Sequence, residues 1–322
     1  MKAIYIEQTG GSEALVYGDR PKPSIAAGEV LVKVAYSGVN FIDTYHRGGL
    51  YKLPLPAIIG SEGAGTVEAV GPDVVQFQPG DHVAYAMARG SYAEYQAVPA
   101  VQLVHVPNAI PLDIAAAAML QGMTAHYLTH STFELKAGHT ALVHAAAGGT
   151  GRLIVQMARL AGARVIATVG SEEKAKLTLS DGANAAILYN TQDFVAEVKR
   201  LTDGKGVEVI YDGVGQSTFL KGFHCLKPRG MMVTFGQSSG PIGTFDPLVL
   251  SSKGSLYLTR PTLATYIAQR ADLEWRSRDL FEWIAVDKLK VCIDKVYPLS
   301  EAAQAHRDLE GRKATGKLIL KV

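Results

Sequence analysis

Small residues fill a seven-residue stretch, residues 145–151, which contains Gly148, Gly149 and Gly151. The apolar run before it, residues 141–144, is short enough to be a buried strand. Glycines let a backbone approach a ligand closely, and unpaired N–H groups at the start of a helix attract anions. The chemistry expected of this stretch is therefore the binding of phosphate groups.

The pattern around this stretch indicates which phosphate ligand it binds. Apolar residues recur at helical spacing over residues 153–161, Gly162 ends the helix, and residues 164–169 form a second β-branched run. A strand, a glycine turn, a helix and a strand within about thirty residues form the unit that binds a dinucleotide pyrophosphate. Ala146 stands at the first glycine position of the G-x-G-x-x-G pattern, so the motif alone also fits an ordinary turn. Its context favours dinucleotide binding, and the candidate phosphate-binding residues are Gly148, Gly149, Thr150 and Gly151.

The end of the second strand distinguishes between the two nicotinamide cofactors. A carboxylate there would bind the ribose 2′-hydroxyl of NAD. No carboxylate occurs before Glu172, whereas Ser171 and Lys174 offer a hydroxyl and an ammonium group one helical turn apart. The same two residues also fit a helix N-cap and a solvated surface lysine. The missing acid and the available base favour NADPH.

The elements that must position these residues fall into two patterns. Up to about residue 122, short β-branched runs alternate with Gly and Pro, which predicts a barrel-like β module. From Thr124 onward, strands alternate with helices, which predicts a parallel, doubly wound sheet and hence an α/β fold class. A mixed pattern returns near the C-terminus. The predicted strands include 1–7, 16–20, 30–36, 66–70, 82–86, 92–98, 185–189, 207–211, 230–235, 255–259, 295–297 and 317–321, and the predicted helices include 172–180, 191–201, 217–225, 273–286 and 300–310.

Composition and charge exclude several classes of protein. The chain has 322 residues, 48% hydrophobic and 19% charged, with a net charge of +2, so bulk electrostatics favour neither nucleic acid nor an acidic membrane as a partner. The longest uncharged run, residues 114–133, contains Gln121 and two histidines. It therefore indicates a buried helix rather than a membrane span. The first apolar run is broken at Glu7, unlike a signal peptide, and two cysteines imply no disulfide framework. A cytoplasmic protein is expected.

Two other chemistries are disfavoured. Residues 311–317 fit G-x-x-x-x-G-K, but Leu318 stands where the magnesium-binding Ser or Thr belongs. Zinc needs Cys, His or carboxylate ligands, and neither Cys225 nor Cys292 has a partner at ligand spacing. His126 and His130 are four residues apart, yet no third ligand is evident nearby. The sequence therefore predicts no metal site.

Several segments resemble a known family. Residues 28–34, 37–43 and 60–65 are similar to the catalytic domain of medium-chain dehydrogenases/reductases, and residues 145–151 resemble the nucleotide loop of their zinc-free quinone oxidoreductase (zeta-crystallin-like) branch. The resemblance covers essentially the whole chain, including residues 235–240 and Arg312. It implies a GroES-like catalytic domain over residues 1–122 and 265–322, and a Rossmann NADPH-binding domain over residues 123–264. Asn40 and Ser61 stand where the zinc enzymes carry ligands or ligand regions, in agreement with the ligand count.

The resemblance implies a metal-independent NADPH:quinone oxidoreductase. Reduction of a quinone generates a phenolate-like oxygen whose conjugate acid, like tyrosine, has a pKa of about 10. Hydrogen bonds and positioning of the hydride donor then suffice without a Lewis acid. An alkene conjugated to a carbonyl meets the same condition, so an NADPH-dependent enone or alkene reductase is an alternative. A crystallin-like RNA-binding role is an alternative of a different class, although no aromatic-rich basic stripe supports it.

The resemblance also implies roles for individual residues. Asn40, Tyr45 and Tyr51 would line the substrate cleft near the nicotinamide, with Asn40 donating a hydrogen bond and the tyrosines providing flat walls, unless the tyrosines serve barrel packing. Gln121 and Thr124 would reach the nicotinamide and its ribose. An apolar edge strand over residues 255–259 predicts a homodimer. The remaining expected cofactor contacts are Phe235, Gly236, Gln237 and Ser238 at a strand end, and Ser171, Lys174, Tyr189 and Arg312 around the 2′-phosphate.

Overall fold

A computed structural model describes residues 1–322, and the chain divides into two compact units. The first unit consists of Met1–Met123 and Tyr266–Val322, and the second of Thr124–Thr265. The strands, in chain order, are β1 (Lys2–Ile6), β2 (Val16–Asp19), β3 (Glu29–Val39), β4 (Ala57–Ile58), β5 (Glu62–Val70), β6 (His82–Ala86), β7 (Tyr95–Pro99), β8 (Leu103–His105), β9 (Thr140–Val143), β10 (Arg164–Val169), β11 (Ala185–Leu188), β12 (Val207–Asp212), β13 (Leu226–Thr234), β14 (Tyr257–Thr259), β15 (Ile293–Pro298) and β16 (Lys317–Lys321).

The chain also contains ten α-helices. None of them has both the length and the hydrophobicity of a membrane span. In chain order they are α1 (Phe41–Arg47), α2 (Leu112–Tyr127), α3 (Gly149–Leu160), α4 (Glu172–Asp181), α5 (Phe194–Leu201), α6 (Phe219–Gly222), α7 (Leu248–Ser252), α8 (Leu263–Tyr266), α9 (Arg270–Ala285) and α10 (Ala302–Glu310).

The first unit is built around the long strand β3. A seven-stranded sheet has the order β15-β16-β3-β5-β6-β8, and β7 also pairs with β3. The first half of β3 pairs with β7 and the second half with β16, while register shifts interrupt its pairing with β5. Such irregularities bend a strand, which lets one strand serve two parts of a barrel-like sheet. Val30, Val32 and Val34 point into one core, and Val39 belongs to another.

The second unit is a parallel sheet in the order β11-β10-β9-β12-β13-β14. Counted within the unit, this order is 3-2-1-4-5-6, the doubly wound arrangement in which ligands bind at the carboxyl ends of the strands where the order reverses. The reversal lies between β9 and β12. Leu142, Ile166 and Ile210 on the central strands are fully buried, as expected of strands covered on both faces. The predicted α/β fold class is confirmed.

Some element boundaries were predicted incorrectly, for identifiable reasons. The helix predicted over 191–201 begins at Phe194, because the Asp193 side chain caps it. The helix predicted over 217–225 is only Phe219–Gly222, and the strand predicted from residue 92 begins at Tyr95. Helix α1 was not predicted from the sequence, because its seven residues are too few for a visible helical period.

Candidate active site

The glycine turn joins β9 to α3. Ala145 has a left-handed backbone (φ +50°), and the Ala146 N–H donates to the Thr168 carbonyl of β10. Gly148 is the N-cap of α3, and no side chain caps the helix. Because the first N–H groups of a helix have no intrahelical acceptor, Gly149, Thr150 and Gly151 present their N–H groups at the carboxyl end of β9. This arrangement favours an anion.

Gly151 is required for the close packing of α3 on the turn. A Cβ at this position would overlap the Ala145 carbonyl oxygen and lie 2.8 Å from Ala146 Cα. Any larger residue would push the start of the helix away from the turn. Gly151 thus fixes where the N–H groups of α3 point.

The ends of β10 and β11 bring together three predicted residues. Ser171 is the N-cap of α4, and its Oγ accepts the Lys174 N–H at 3.3 Å. The Tyr189 N–H donates to the Val169 carbonyl, and the Tyr189 hydroxyl lies over Gly170, 2.7 Å from where a Cβ would be. The N-cap role foreseen for Ser171 is therefore present, and its hydroxyl hydrogen can still donate to a ligand.

The fourth residue expected near the 2′-phosphate belongs to the other unit. Arg312 lies exposed in the turn after α10, with a left-handed backbone (φ +56°). Its grouping with Ser171 and Lys174 stays a prediction.

The residues predicted after β13 lie at the same edge of the sheet. The Ser238 N–H donates to the Gly213 carbonyl, and the Phe235 ring packs on Gly213. Gln237 Oε1 accepts a hydrogen bond from Arg260, at 3.2 Å. Arg260, which was not predicted as a site residue, lies just beyond β14 and also contacts Thr234. Gly236 packs on the Gly213 backbone. The four residues 235–238 therefore lie against the turn that follows β12.

In the first unit, Asn40 is the centre of a buried polar cluster. Its side chain is 3% exposed. Asn40 Oδ1 accepts hydrogen bonds from Lys317 Nζ at 2.6 Å and Gln121 Nε2 at 3.3 Å. Asn40 Nδ2 donates to Glu62 Oε2 at 2.9 Å and to the Gly38 carbonyl at 3.3 Å. Both amide hydrogens are donated within the protein, and Asn40 links Lys317 and Glu62 to Gln121. The hydrogen bond expected from Asn40 to a substrate stays a prediction.

The ion pair beside Asn40 is almost completely buried. Lys317 Nζ lies 2.5 Å from Glu62 Oε2, with the two side chains 1% and 0% exposed. Glu62 Oε1 accepts the Leu120 N–H of α2 at 2.5 Å. Burial lowers the pKa of Lys317 from its usual value, and the charge of Glu62 opposes this change. A Cβ at Gly38 would overlap Glu62 Oε2 and lie 2.9 Å from Lys317 Cε, so glycine makes room for the pair.

Neither member of this pair was assigned a role from the sequence. Glu62 lies in a segment used only for the family resemblance, and Lys317 lies in the rejected phosphate-loop pattern. Only one sequence signal could have found Lys317: it precedes three consecutive apolar residues of a strand. That signal is weak, because strand ends are commonly charged.

Gln121 lies at the edge of the Asn40 cluster and has one unpaired acceptor, its side-chain oxygen. Its Nε2 donates to Asn40, whereas its Oε1 is buried and has no hydrogen-bond partner. Buried polar atoms are rarely left unpaired, so an N–H or O–H group of a ligand fits here. Thr124, three residues further along α2, is buried and on the same face of the helix.

A second buried network joins α1 to α10. Arg47 bonds both Glu310 and His306 Nδ1 (at 3.1 Å to the latter), His306 Nε2 lies 3.1 Å from the Tyr92 hydroxyl, and that hydroxyl lies 3.2 Å from Asp43 Oδ2. Because Arg only donates, His306 accepts at Nδ1 and donates from Nε2 to Tyr92, which donates to Asp43. Burial lowers the pKa of His306 to about 3, with Arg47 adding to the effect. Burial raises the pKa of Asp43 to about 7.

The two candidate wall tyrosines lie at the surface of the first unit. Tyr45 is half-buried on α1 and Tyr51 is 40% exposed. Their ring centroids are 5.5 Å apart in an edge-to-face arrangement. Neither belongs to the core cluster around Ile4 and Tyr92 or to that around Val30 and Val32. Their role as walls of the substrate cleft stays a prediction.

The metal-ligand chemistry of the chain does not fit zinc. No group of three or more His, Cys, Asp or Glu residues could hold a metal ion. Cys225 is buried, Cys292 is exposed and both are free. His126 and His130 stack on one another, with ring centroids 4.4 Å apart.

Comparisons with known proteins cover both units. The family model described as "Alcohol dehydrogenase GroES-like domain" matches residues 26–108, and the one described as "Zinc-binding dehydrogenase" matches residues 149–276. The chain is 44% identical to a quinone oxidoreductase of Pseudomonas aeruginosa and 40% identical to a 2-haloacrylate reductase of Burkholderia, covering at least 98% of each chain. It resembles the crystal structure of Escherichia coli quinone oxidoreductase complexed with NADPH, with a TM-score of 0.98, 40% identity and full coverage of both chains.

Proposed function

This chain belongs to the quinone oxidoreductase branch of the medium-chain dehydrogenase/reductase superfamily, and we propose that it is an NADPH-dependent quinone reductase. The observation that carries the proposal is the edge of the second unit's sheet. There the uncapped start of α3 lies beside the end of β10, after which no carboxylate occurs before Glu172 and Ser171 and Lys174 offer a hydroxyl and an ammonium group. A dinucleotide with a 2′-phosphate fits this combination.

We assign the second unit, Thr124–Thr265, as the NADPH-binding domain and the first unit as the catalytic domain. When bound, NADPH supplies a hydride. Gly149, Thr150 and Gly151 would bind the pyrophosphate through their N–H groups, and residues 235–238 would line the path of the nicotinamide half. Ser171, Lys174 and Tyr189 would hold the 2′-phosphate, with Arg312 as a further candidate.

Tyr45 and Tyr51 would provide the flat surface against which a quinone ring packs. Aromatic faces bind planar rings by stacking and by burying apolar area, and their partial exposure leaves that area available. Gln121 and Thr124 would contact the nicotinamide and its ribose. The donor set does not fit zinc, so the proposed reaction uses none.

The test is oxidation of NADPH by the purified protein, followed by absorbance, with simple benzoquinones and naphthoquinones as acceptors and NADH as the comparison cofactor. We expect turnover with at least one quinone and a preference for NADPH. A protein that oxidises NADPH with no quinone would contradict the proposal.

A second candidate activity is supported by one relative. The chain is 40% identical to a 2-haloacrylate reductase, a protein whose name indicates reduction of an activated alkene. Enones and 2-haloacrylates should therefore be run beside the quinones. A higher kcat/KM for the alkenes than for every quinone would make the alkene reductase the better assignment.

We further propose that the protein is a cytoplasmic homodimer. Strand β14 pairs only with β13, so its outer edge is unpaired within the chain, and Tyr257 on it is 57% exposed. Edge strands of this kind pair readily with a second copy. Light scattering should give twice the mass of one chain, and Leu258→Lys should lower it; a monomeric wild type would exclude this part of the proposal. Cell fractionation tests the location.

A further inference from the structure

The hydrogen bonds of the Asn40 cluster have a fixed direction. A lysine ammonium can only donate, so Lys317 must face Asn40 Oδ1, which it meets at 2.6 Å. An ionised carboxylate can only accept, so Glu62 must face Asn40 Nδ2, at 2.9 Å. The buried pair therefore dictates the orientation of the Asn40 amide from both ends.

The orientation of Asn40 dictates that of Gln121. Asn40 Oδ1 is an acceptor, so the end of the Gln121 amide that meets it, at 3.3 Å, is the NH₂ group. The other end, Oε1, is buried without a partner. The chain of hydrogen bonds thus begins at a charged group and ends at a single unpaired acceptor.

We propose that Lys317 and Glu62 are positioning residues that, through Asn40, hold the Gln121 carbonyl oxygen toward the bound reactants as an acceptor for a ligand N–H or O–H group. The inference rests on the proposed function. Two ligands of the proposed reaction carry such a donor. NADPH carries it in the carboxamide of its nicotinamide, and a hydroquinone product carries it in its hydroxyl groups. Loss of one hydrogen bond of this kind weakens binding about tenfold.

The predicted consequence of neutralising the pair is specific. In the double variant Lys317→Met with Glu62→Gln, the new glutamine must still accept the Leu120 N–H, so it turns its NH₂ group to Asn40. Asn40 then turns its oxygen to position 62 and its NH₂ group to Gln121, and gives up its 3.3 Å hydrogen bond to the Gly38 carbonyl. Gln121 in turn directs its oxygen to Asn40 and presents an NH₂ group to the ligand. The variant converts the acceptor into a donor without leaving a buried charge unpaired.

The experiment compares ligands with and without the donor. One arm measures dissociation constants, by fluorescence, for NADPH and for its reduced 3-acetylpyridine analogue, in which a methyl group replaces the carboxamide NH₂. The other arm measures inhibition by a hydroquinone and by its dimethyl ether. We expect wild type to prefer the donor-bearing ligand about tenfold in one arm, which identifies the source of the donor.

In that arm the double variant should reduce the preference to within about twofold. Gln121→Met, which leaves the ion pair intact, should give the same loss and serves as the readout if the double variant does not fold. Lys227→Met disrupts the Glu208–Lys227 pair of the second unit and should leave the preference unchanged.

Two outcomes would overturn the inference: a wild type without preference in either arm, or a preference that survives in the folded double variant or in Gln121→Met. The NADPH arm measures binding and needs no quinone turnover. Failure of the inference therefore shows as an unchanged preference, whereas failure of the proposed function shows as absent quinone reduction by wild type.

Discussion

The glycine turn of the second unit and the Asn40 cluster of the first unit hold their polar groups in opposite ways. The turn presents backbone N–H groups at the start of an uncapped helix, and no protein side chain satisfies them. The cluster buries an ammonium, a carboxylate and two amides that satisfy one another except at Gln121 Oε1. The turn depends on close backbone packing, whereas the cluster depends on charge balance. Different substitutions should therefore break them.

The largest effect is expected from removing one charge of the buried pair. Lys317→Met leaves the Glu62 carboxylate buried without its cation, and such a change typically costs about 3 to 5 kcal/mol. Denaturant unfolding followed by circular dichroism should show this loss. Adding Glu62→Gln should recover most of it, because no charge then remains buried.

A more exposed ion pair provides the control. Lys227 and Glu208 have side chains that are 32% and 20% exposed, and pairs in contact with water contribute about 0 to 1 kcal/mol. Lys227→Met should thus cost much less than Lys317→Met. Equal costs would show that burial does not set the energetics of the Asn40 cluster.

The next effect concerns pH and the neighbouring Asp43–His306 network. The pKa of His306 is lowered by burial from 6.5 to about 3, so its contribution to stability is present above 6.5 and is lost as the pH falls toward 3. The pKa of Asp43 is raised by burial from 3.8 to about 7, so its contribution is present below 3.8 and is lost as the pH rises to 7. Between these limits the two contributions oppose each other.

Asp43→Asn should therefore make the protein acid-sensitive. Without the Asp43 contribution, that of His306 is unopposed, and the variant should lose roughly 3 kcal/mol between pH 6.5 and about pH 4. Wild type should change little over the same range. The measurement is Tm across this pH range, with His306→Gln as the reverse case, since it should gain stability on acidification. If the Tm of Asp43→Asn depended on pH as weakly as that of wild type, these two groups would not titrate as their burial implies.

The glycine turn could be predicted because the residues that form it are neighbours in the sequence. Gly148, Gly149 and Gly151 lie between a strand and a helix that their neighbours specify, and the same pattern predicted the order of strands and helices in the second unit. The α/β fold class followed from this alternation. Helix ends were less accurate, because a single cap such as Asp193 moves a boundary by several residues.

The Asn40 cluster could not be predicted because its members are far apart in the chain. Lys317 and Asn40 are 277 positions apart, and Glu62 and Asn40 are 22 apart. The pairing of β16 with the end of β3 brings Lys317 to Asn40, and the pairing of β5 with β3 brings Glu62 there. The resemblance pointed to Asn40 but not to its partners, because a sequence does not show which groups already use a side chain's hydrogens.

A smaller effect is expected in the glycine turn. Gly151→Ala would force α3 away from the Ala145 carbonyl, at a cost of about 2 to 3 kcal/mol for overpacking, and NADPH affinity should fall because the helix N–H groups move. Gly148→Ala is the matched control, since its Cβ would lie 3.3 Å from the same oxygen. Tm and the dissociation constant for NADPH should change more for Gly151→Ala than for Gly148→Ala. The reverse order would mean that this packing does not set the position of the helix.

The smallest effect is expected at the open edge beside the turn. Lys174→Glu places a negative charge in the first turn of α4, just after β10, where it should repel a 2′-phosphate and weaken NADPH binding about tenfold relative to NADH. Because Lys174 is only half-buried, Tm should hardly change, in contrast to Lys317→Met. Lys176→Glu, an exposed residue of the same helix, reverses the same charge two residues further on and should change the NADPH-to-NADH ratio much less. Equal weakening of both cofactors by Lys174→Glu would remove Lys174 from the 2′-phosphate site. A change confined to NADPH would show that the charge of Lys174 sets the preference between the two cofactors, whereas the charge of Lys317 stabilises the fold.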